Sequence, residues 1–217
     1  MRQDKDIQTE VMRELEWEPS VDAAAIGVAA SDGAITLTGH VGSYAEKIAA
    51  TKAARRVYGV RAVADELAVE LPTENLHDDT DIAETISRLL EWNVTIPKRA
   101  VTAKVSNGFV TLDGKVDWEY QSIAATKLVR NLTGVRGVTN LVTVRPKVHD
   151  KEVKSGIAAA LHRQAQLDAR RIWLETSDGT VTLQGQVSSW SESETARKAA
   201  AAAPGVRKVE NHLQIVA

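Results

Sequence analysis

The residues that could carry out chemistry in this sequence are few, and they do not converge on one reaction. None of the five histidines has a metal-binding spacing such as His-x-x-x-His. Cysteine is absent, which excludes disulfides, thiolate metal ligands and cysteine nucleophiles. The sequence contains no nucleophile elbow, no Ser-His-Asp context and no glycine-rich phosphate loop. We therefore expect a protein that is not an enzyme and that needs no metal and no cofactor. The histidines are His40, His77, His149, His162 and His212.

An acidic run at residues 77–81, His-Asp-Asp-Thr-Asp, could bind a cation through its carboxylates. The same run precedes a predicted helix, and carboxylates at a helix start interact favourably with the helix dipole. We favour a linker that ends in a helix cap over a cation site.

The aromatic residues make up only 4% of the chain, so their positions are informative. Trp173 alternates with Ile172 and Leu174, so it is predicted to point away from the core. Aromatic rings with a polar edge suit the lipid headgroup region. Packing of one domain against another is the alternative and the more usual role. The candidates for lipid or ligand contact are Tyr44, Trp118, Tyr120, Trp173, Trp190 and the basic Lys47.

Three polar residues, Asp65, Asn140 and Asn211, fall in the inward phase of predicted strands. A polar side chain buried there must find hydrogen-bond partners. We expect these side chains to tie down a nearby loop or to mark a bulge rather than to bind a ligand.

The elements that position these residues are organised by a segment that occurs three times, at 32–41, 107–116 and 178–187. Each copy opens with Asp-Gly or Asn-Gly, which predicts a tight hairpin turn because both central residues need a positive φ. Apolar and polar residues then alternate, as in a strand that is buried on one face. A second glycine, such as Gly39, is expected to end the strand.

The repeat spacing predicts three small domains. Gly33, Gly108 and Gly179 lie 75 and then 71 residues apart, which exceeds the length of typical solenoid repeats. We therefore expect one core in each domain, and the alternative is a stack that shares one core. The predicted domains are residues 1–74, 75–147 and 148–217.

Each unit is predicted to fold as helix, strand, strand, helix, strand. In the first unit Ile7, Val11 and Leu15 define one face of a helix over residues 4–16. The economical way to bury such faces is a three-stranded sheet with both helices on one side. The fold class is therefore α+β, in three tandem small domains.

The second helix of each unit has a recognisable start. Residues 43–46 and 189–192 have the form of a capping box, in which Ser accepts from the backbone and Glu reaches back. In the second unit Asp117 is the expected cap, and Gln121 takes the position of the Glu.

The repeated Gly-x-Val-Thr-Leu-x-Gly-x-Val, followed by a helix and then by Gly-Val-x-x-Val-x-Asn-x-Leu, resembles the BON domain. The match covers nearly the whole chain, although the first copy has Asp65 where the pattern has Asn. The resemblance implies the helix-strand-strand-helix-strand fold, no catalytic activity, and a role commonly proposed as phospholipid or envelope binding. The best-known members of the family are exported.

Composition and charge exclude several classes. The net charge is -2, and the predicted sheet face bears small residues and Thr, so we expect no nucleic-acid partner. No apolar run is long enough for a transmembrane segment, and the first residues lack the apolar core of a signal peptide. The expected location is the cytoplasm, and the periplasm is the alternative that the resemblance implies.

Two hypotheses of function follow. The favoured one is a non-catalytic protein linked to osmotic stress, a binding or scaffold module that contacts phospholipid headgroups or a protein partner. The alternative is a cytoplasmic sensor of a small ligand or of a monovalent cation such as potassium. The oligomeric state and the arrangement of the domains stay open.

Overall fold

The structure, a computed structural model, describes residues 4–144, 150–163, 171–177, 179–203 and 206–216. They form three tandem small domains of mixed α and β structure, so the predicted fold class is confirmed. Domain 1 contains α1 (Asp4–Trp17), β1 (Ile26–Ser31), β2 (Ala34–Val41), α2 (Tyr44–Arg56) and β3 (Ala62–Val69). Domain 2 contains α3 (Asp79–Trp92), β4 (Val101–Ser106), β5 (Phe109–Val116), α4 (Glu119–Arg130), β6 (Gly137–Asn140) and β7 (Thr143–Val144). Domain 3 contains α5 (Asp150–Arg163), β8 (Ile172–Ser177), β9 (Thr180–Val187), α6 (Trp190–Ala201) and β10 (Lys208–Ile215).

The second strand lies in the middle of each sheet. In domain 1, β1 runs antiparallel to β2, with Val28 opposite Leu37, and β3 runs parallel to β2, with Asp65 opposite Leu37. The second helix therefore makes the crossover between two parallel strands. In domain 2 the last strand is interrupted, and both β6 and β7 pair with β5.

Both helices of a domain pack on one face of its sheet. In domain 1 the predicted face of α1, with Ile7, Val11 and Leu15, is buried against Ile35 and Leu37 of β2. Burying a side chain of this size fully stabilises the fold by roughly 1.5–3 kcal/mol. The three hydrophobic clusters are built from separate domains, so each domain has its own core.

The hairpin turn forms as the sequence predicts. Asp32 and Gly33 have φ values of 49° and 78°, and Asn107 and Gly108 repeat them at 52° and 77°. The expectation that Gly39 ends the strand is wrong, because β2 continues to Val41. Gly39 has φ 110°, and a Cβ built on it would lie 2.1 Å from the Ala25 carbonyl oxygen. The glycine is required inside the strand by this close backbone approach.

The first helix also holds the hairpin turn, a role that sequence reasoning missed. The Asp4 carboxylate accepts from the backbone N–H groups of Asp32 (3.0 Å) and Gly33 (3.3 Å). Asp79 accepts in the same way from Asn107 (2.7 Å) and Gly108 (2.8 Å). The available signal was an Asp at one fixed distance before each turn.

The acidic run 77–81 acts as a helix start, as we expected. The Asp78 side chain is the cap and accepts from the Asp81 N–H at 2.7 Å. Asp79 serves the hairpin turn. Within the described ranges no group of three His, Asp or Glu side chains could hold a metal ion.

The second helices begin with the predicted caps in domains 1 and 3. Ser43 accepts from the Glu46 N–H at 3.1 Å, and Glu46 accepts from the Gly42 N–H at 2.8 Å. In domain 2 the expectation that Asp117 is the cap is wrong. The cap position is Trp118, which occupies the place of Ser43, and the Gln121 side chain accepts from the backbone N–H of both residues before α4.

Candidate functional site

In domain 1 the inward-phase polar residue Asp65 is part of an ion pair. Its carboxylate lies 3.3 Å from the Lys47 ammonium and accepts from the Thr51 hydroxyl at 3.1 Å and from the Leu67 N–H at 3.2 Å. Lys47 also donates to the Leu67 carbonyl at 2.6 Å. Both charged side chains are largely buried, so this cluster joins α2 to β3, and the Lys47 ammonium is directed inward.

In domain 2 the same junction is neutral. The Asn140 amide donates to the Ser122 hydroxyl at 2.8 Å, and its oxygen accepts from the Val142 N–H at 3.0 Å. Ser122 is buried, whereas Asn140 is exposed at the edge of the interrupted strand.

Domain 3 repeats the neutral junction. Asn211 donates to the buried Ser193 at 2.8 Å and accepts from the Leu213 N–H at 3.2 Å. Ser122 and Ser193 occupy the place of Lys47 in the repeat. The three polar residues of the last strand thus link helix to strand in every domain. The inward phase that the sequence predicts is wrong for Asn140 and Asn211, which are exposed.

Trp190 joins domain 3 to domain 1. Its indole N–H donates to the Val60 carbonyl at 3.0 Å. The Arg55 guanidinium lies 4.8 Å from the centre of its ring, in cation–π contact. Because Val60 follows the end of α2, this contact places the start of α6 at the end of α2.

Two further contacts complete a cycle among the second helices. Tyr44, at the start of α2, packs against the hydrophobic cluster of domain 2. Glu119, at the start of α4, lies 3.8 Å from Arg197 of α6. The start of each second helix therefore contacts another repeat, either its second helix or its hydrophobic cluster. We call α2, α4 and α6 the helix ring.

A cavity of about 220 Å³ that is open to solvent lies between domains 1 and 2, lined by α2, by the end of α4 and by the ion pair of Glu18 and Arg56. One side is apolar and comes from Ala45, Ile48 and Ala49 of α2, and Arg130 and Asn131 at the end of α4 line the opposite side. Lys52 also lines the cavity. The cavity is thus apolar on one wall and positively charged on another.

The acidic groups around the helix ring are held by arginines. Hydrogen bonds from Arg56 and Ser20 hold the pKa of Glu18 below its usual range. Arg197 lowers the pKa of Glu194 in the same way. Burial raises the pKa of Glu119 despite the opposing charge of Arg197.

The other aromatic candidates lie at the surface. Trp173 is 64% exposed on the open face of the domain 3 sheet, as its phase predicts. Tyr120 is also exposed and lies 6.5 Å, between ring centres, from the half-buried Trp118. Trp17 and Trp92, at the ends of α1 and α3, are 81% and 86% exposed.

Several charged side chains of this region are held in ion pairs. The Thr51 hydroxyl lies beside the Asp65 carboxylate, and that carboxylate is already paired with Lys47. None of the described helices is both long and apolar enough to span a bilayer.

Comparison with known proteins agrees with the repeats. The chain is 30% identical over 148 residues to osmotically-inducible protein Y of Escherichia coli (strain K12), a match that covers 64% of this chain and 74% of that protein. Two structures of CdsD, a structural protein of the type III secretion system of Chlamydia trachomatis, also match. The first is 16% identical and covers 97% of this chain and 92% of that chain, and the second, the C-terminal domain, is 15% identical and covers both chains fully. Both have a TM-score of 0.29, too low to carry a conclusion.

The family model described as the BON domain matches residues 3–70, 78–146 and 149–217. These three segments contain the hairpins, the ties between helix and strand and the helix ring. Together they account for nearly the whole sequence, and this chain is a member of the BON domain family.

Proposed function

We propose that this chain is a non-catalytic, stress-associated binding protein that contacts phospholipid headgroups through exposed tryptophans. The observation that carries the proposal is the exposure of Trp17, Trp92 and Trp173, at 81%, 86% and 64%. These three rings are among the most exposed large apolar side chains of the described residues. The name of the Escherichia coli relative supports the link to osmotic stress.

Tryptophan favours the phospholipid interface because its ring is apolar and its N–H can bond to headgroups or water. Trp17 directly precedes Glu18, whose carboxylate pairs with Arg56 at the cavity that Lys52 and Arg130 also line. Basic residues near the surface add attraction to anionic lipids of about 1 kcal/mol each. Anionic phospholipid is therefore the proposed partner.

Of the residues that the sequence offered as candidates for lipid or ligand contact, only some are available for a partner in the folded protein. Trp190, Tyr44 and Lys47 have partners within the chain, in the helix ring and in the Asp65 tie. Trp173 and Tyr120, with Trp118 beside the latter, keep free surface for a partner. We assign lipid contact to the exposed tryptophans and assign Tyr44, Trp190 and Lys47 to structure.

Flotation with vesicles of phosphatidylglycerol and phosphatidylcholine tests the proposal. The protein should float with the vesicles at low ionic strength and less at high ionic strength, because salt screens the basic residues. Replacing Trp17, Trp92 and Trp173 together by Ala should abolish flotation. The matched control is Trp190→Phe, which keeps an aromatic ring in the helix ring and should float normally. Absence of flotation at low ionic strength would refute lipid contact.

A further inference from the structure

The helix ring brings together three lysines from equivalent positions of the repeats. Lys52, Lys127 and Lys198 lie 75 and then 71 residues apart, which is the spacing of the hairpin glycines. Lys52 and Arg130 line the same cavity, and Lys127 lies with Arg130 in the last turn of α4. The positive charges of Arg130, Lys127 and Lys198 act on the Lys52 ammonium, as does the opposite charge of Glu194. We call Lys52, Lys127, Lys198 and Arg130 the cation cluster.

The nearby carboxylates neutralise this cluster only in part. Glu18 bonds to Arg56 at 2.8 Å, and Glu194 bonds to Arg197 at 3.0 Å. Glu119 faces Arg197 as well. Of the cation cluster, only Lys198 approaches a carboxylate, that of Glu194, at 3.9 Å.

Lys52, Lys127 and Arg130 form no ion pair with any residue that the structure describes. Partial desolvation lowers the pKa of Lys52, and the charges of Arg130, Lys127 and Lys198 lower it further, whereas the charge of Glu194 acts in the opposite direction. The four cations therefore repel one another in the folded protein.

The helix dipole offsets only a small part of this charge. Lys127 and Arg130 lie in the last turn of α4, where the free carbonyls amount to about half of a negative charge. Lys52 lies four residues before the end of α2, outside its last turn. Most of the positive charge is left for an external anion.

The cavity gives that anion a place to bind. It has a volume of about 220 Å³, several times the roughly 30 Å³ of one water molecule, and Lys52 and Arg130 both line it. The Asn131 side chain adds a hydrogen-bonding group to the same wall. An anion there could accept from several donors at once.

We propose that the cation cluster binds a small anion with two or more linked phosphate groups. Lysine and arginine are the side chains that bind phosphate by charge-assisted hydrogen bonds. Three lysines related by the repeat match the several equivalent terminal oxygens of a phosphate group. A single carboxylate would leave most of the four positive charges without a partner. The site is distinct from the exposed tryptophans of the proposed function.

Calorimetric titration of the full chain with inorganic pyrophosphate, without divalent cations and at low ionic strength, tests the proposal. We expect saturable binding of one pyrophosphate that weakens as sodium chloride is added. The variant Lys52→Gln/Lys127→Gln/Lys198→Gln should bind at least about tenfold more weakly, since it removes three charged contacts. The three lysines are exposed, so the variant should keep its circular dichroism spectrum and melting temperature.

The matched control has the same change of net charge at lysines outside the helix ring. Lys5, Lys104 and Lys115 are exposed on α1, β4 and β5. Replacing all three by Gln should leave pyrophosphate affinity within about twofold, because their long-range effect is screened. Equal loss of affinity in the two triple variants, or no binding by the natural chain, would overturn the site.

The phosphate groups could belong to a free anion or to a lipid headgroup, and vesicles of phosphatidic acid separate these sources. If the Lys52/Lys127/Lys198 variant loses both pyrophosphate binding and flotation while the control keeps both, the cluster takes the headgroup as well. If it loses only pyrophosphate binding, the ligand is a free anion. The variant without Trp17, Trp92 and Trp173 should still bind pyrophosphate, so this result does not depend on the proposed function.

Discussion

The hairpin and the junction between the second helix and the last strand differ in how closely they are repeated in the three domains. In the hairpin, Gly33 and Gly108 have nearly the same φ, and Gly39, Gly114 and Gly185 all have positive φ. At the junction, an ion pair in domain 1 is replaced by a serine and an asparagine in domains 2 and 3. The backbone geometry is the same three times, and the side-chain chemistry is not.

The difference follows from which amino-acid substitutions each region can accept. A glycine at positive φ, with a carbonyl against it, has no substitute among residues that carry a Cβ. A tie between helix and strand needs only a donor, an acceptor and the right distance, so Lys47–Asp65 can do the work of Ser122–Asn140. We therefore expect the hairpin to tolerate substitution least.

The largest effect should come from Gly39→Ala. The new Cβ would lie 2.1 Å from the Ala25 carbonyl oxygen at φ 110°, so the backbone must shift. We expect domain 1 to lose about 3 kcal/mol or more of unfolding free energy. Hydrogen exchange of the β1 and β2 amides, compared with those of domain 2, measures the loss.

Gly156→Ala is the control for that substitution. Gly156 lies within α5, and apart from its chain neighbours and the surrounding backbone of that helix no atom of the described residues lies within 4 Å of the place of its new Cβ. Alanine there should stabilise domain 3 by roughly 0.5–1 kcal/mol, because glycine weakens a helix interior. A Gly39→Ala protein with unchanged exchange would show that the close approach of Ala25 does not constrain the strand.

The next largest effect should come from combining one residue of the charged Lys47–Asp65 pair with one residue of the neutral Ser–Asn pair. Asp65→Asn leaves the largely buried Lys47 without its carboxylate and should cost about 2 kcal/mol. Adding Lys47→Ser recreates the pair found in domain 2, so the double variant should be more stable than the sum of the single variants by about 1 kcal/mol. Urea unfolding of the four proteins gives this coupling energy. Additive effects would mean that the charged and neutral ties are not equivalent.

A smaller effect is expected from Asp4→Ala, which removes the acceptor for two backbone N–H groups of the turn. The loss should be about 1–2 kcal/mol. Asp6→Ala is the control, since it removes the same charge from the same first turn of α1. If both variants lose equal stability, the helix dipole rather than the hairpin contact explains the effect.

The hairpin could be predicted from the sequence, whereas the junction between the second helix and the last strand could be predicted only in part. Asp32-Gly33 and the buried face of α1 are local patterns, so both were predicted correctly. Gly39 was misread because the carbonyl that approaches it belongs to Ala25, which precedes β1 and lies outside the local pattern around the glycine. The inward direction of Lys47 needed the position of Asp65, which follows only once β3 is placed beside β2.

The contacts of the helix ring are harder still to predict from the sequence. Trp190 donates to Val60, 130 residues earlier in the chain. Such a contact depends on how whole domains pack, and no local periodicity records it. The equivalence of Lys52, Lys127 and Lys198 is visible in the sequence, but its meaning needs the three helices to be brought together.

The smallest effect on stability is expected from substitution of Glu194 or Glu119, the two carboxylates that interact with Arg197. The pKa of Glu194 is lowered by its hydrogen bond to Arg197, so its contribution to stability is present above the pKa of the unfolded chain and is lost as the pH falls through the folded value. The pKa of Glu119 is raised by burial, so its contribution is present below the unfolded value and declines as the pH rises through the folded value. The two groups therefore have opposite pH dependence.

Two amide variants test this sign. At neutral pH, Glu194→Gln should be less stable than the natural chain, and Glu119→Gln slightly more stable, each by less than about 1 kcal/mol because both groups are partly exposed. Both differences should shrink as the pH falls below about 4, since the natural carboxyls then become neutral as well. Melting temperatures from pH 3 to pH 8 provide the measurement. If the Glu119→Gln difference has the same sign as that of Glu194→Gln, attraction to Arg197 outweighs desolvation at the junction of domains 2 and 3, and the two carboxylates play the same part.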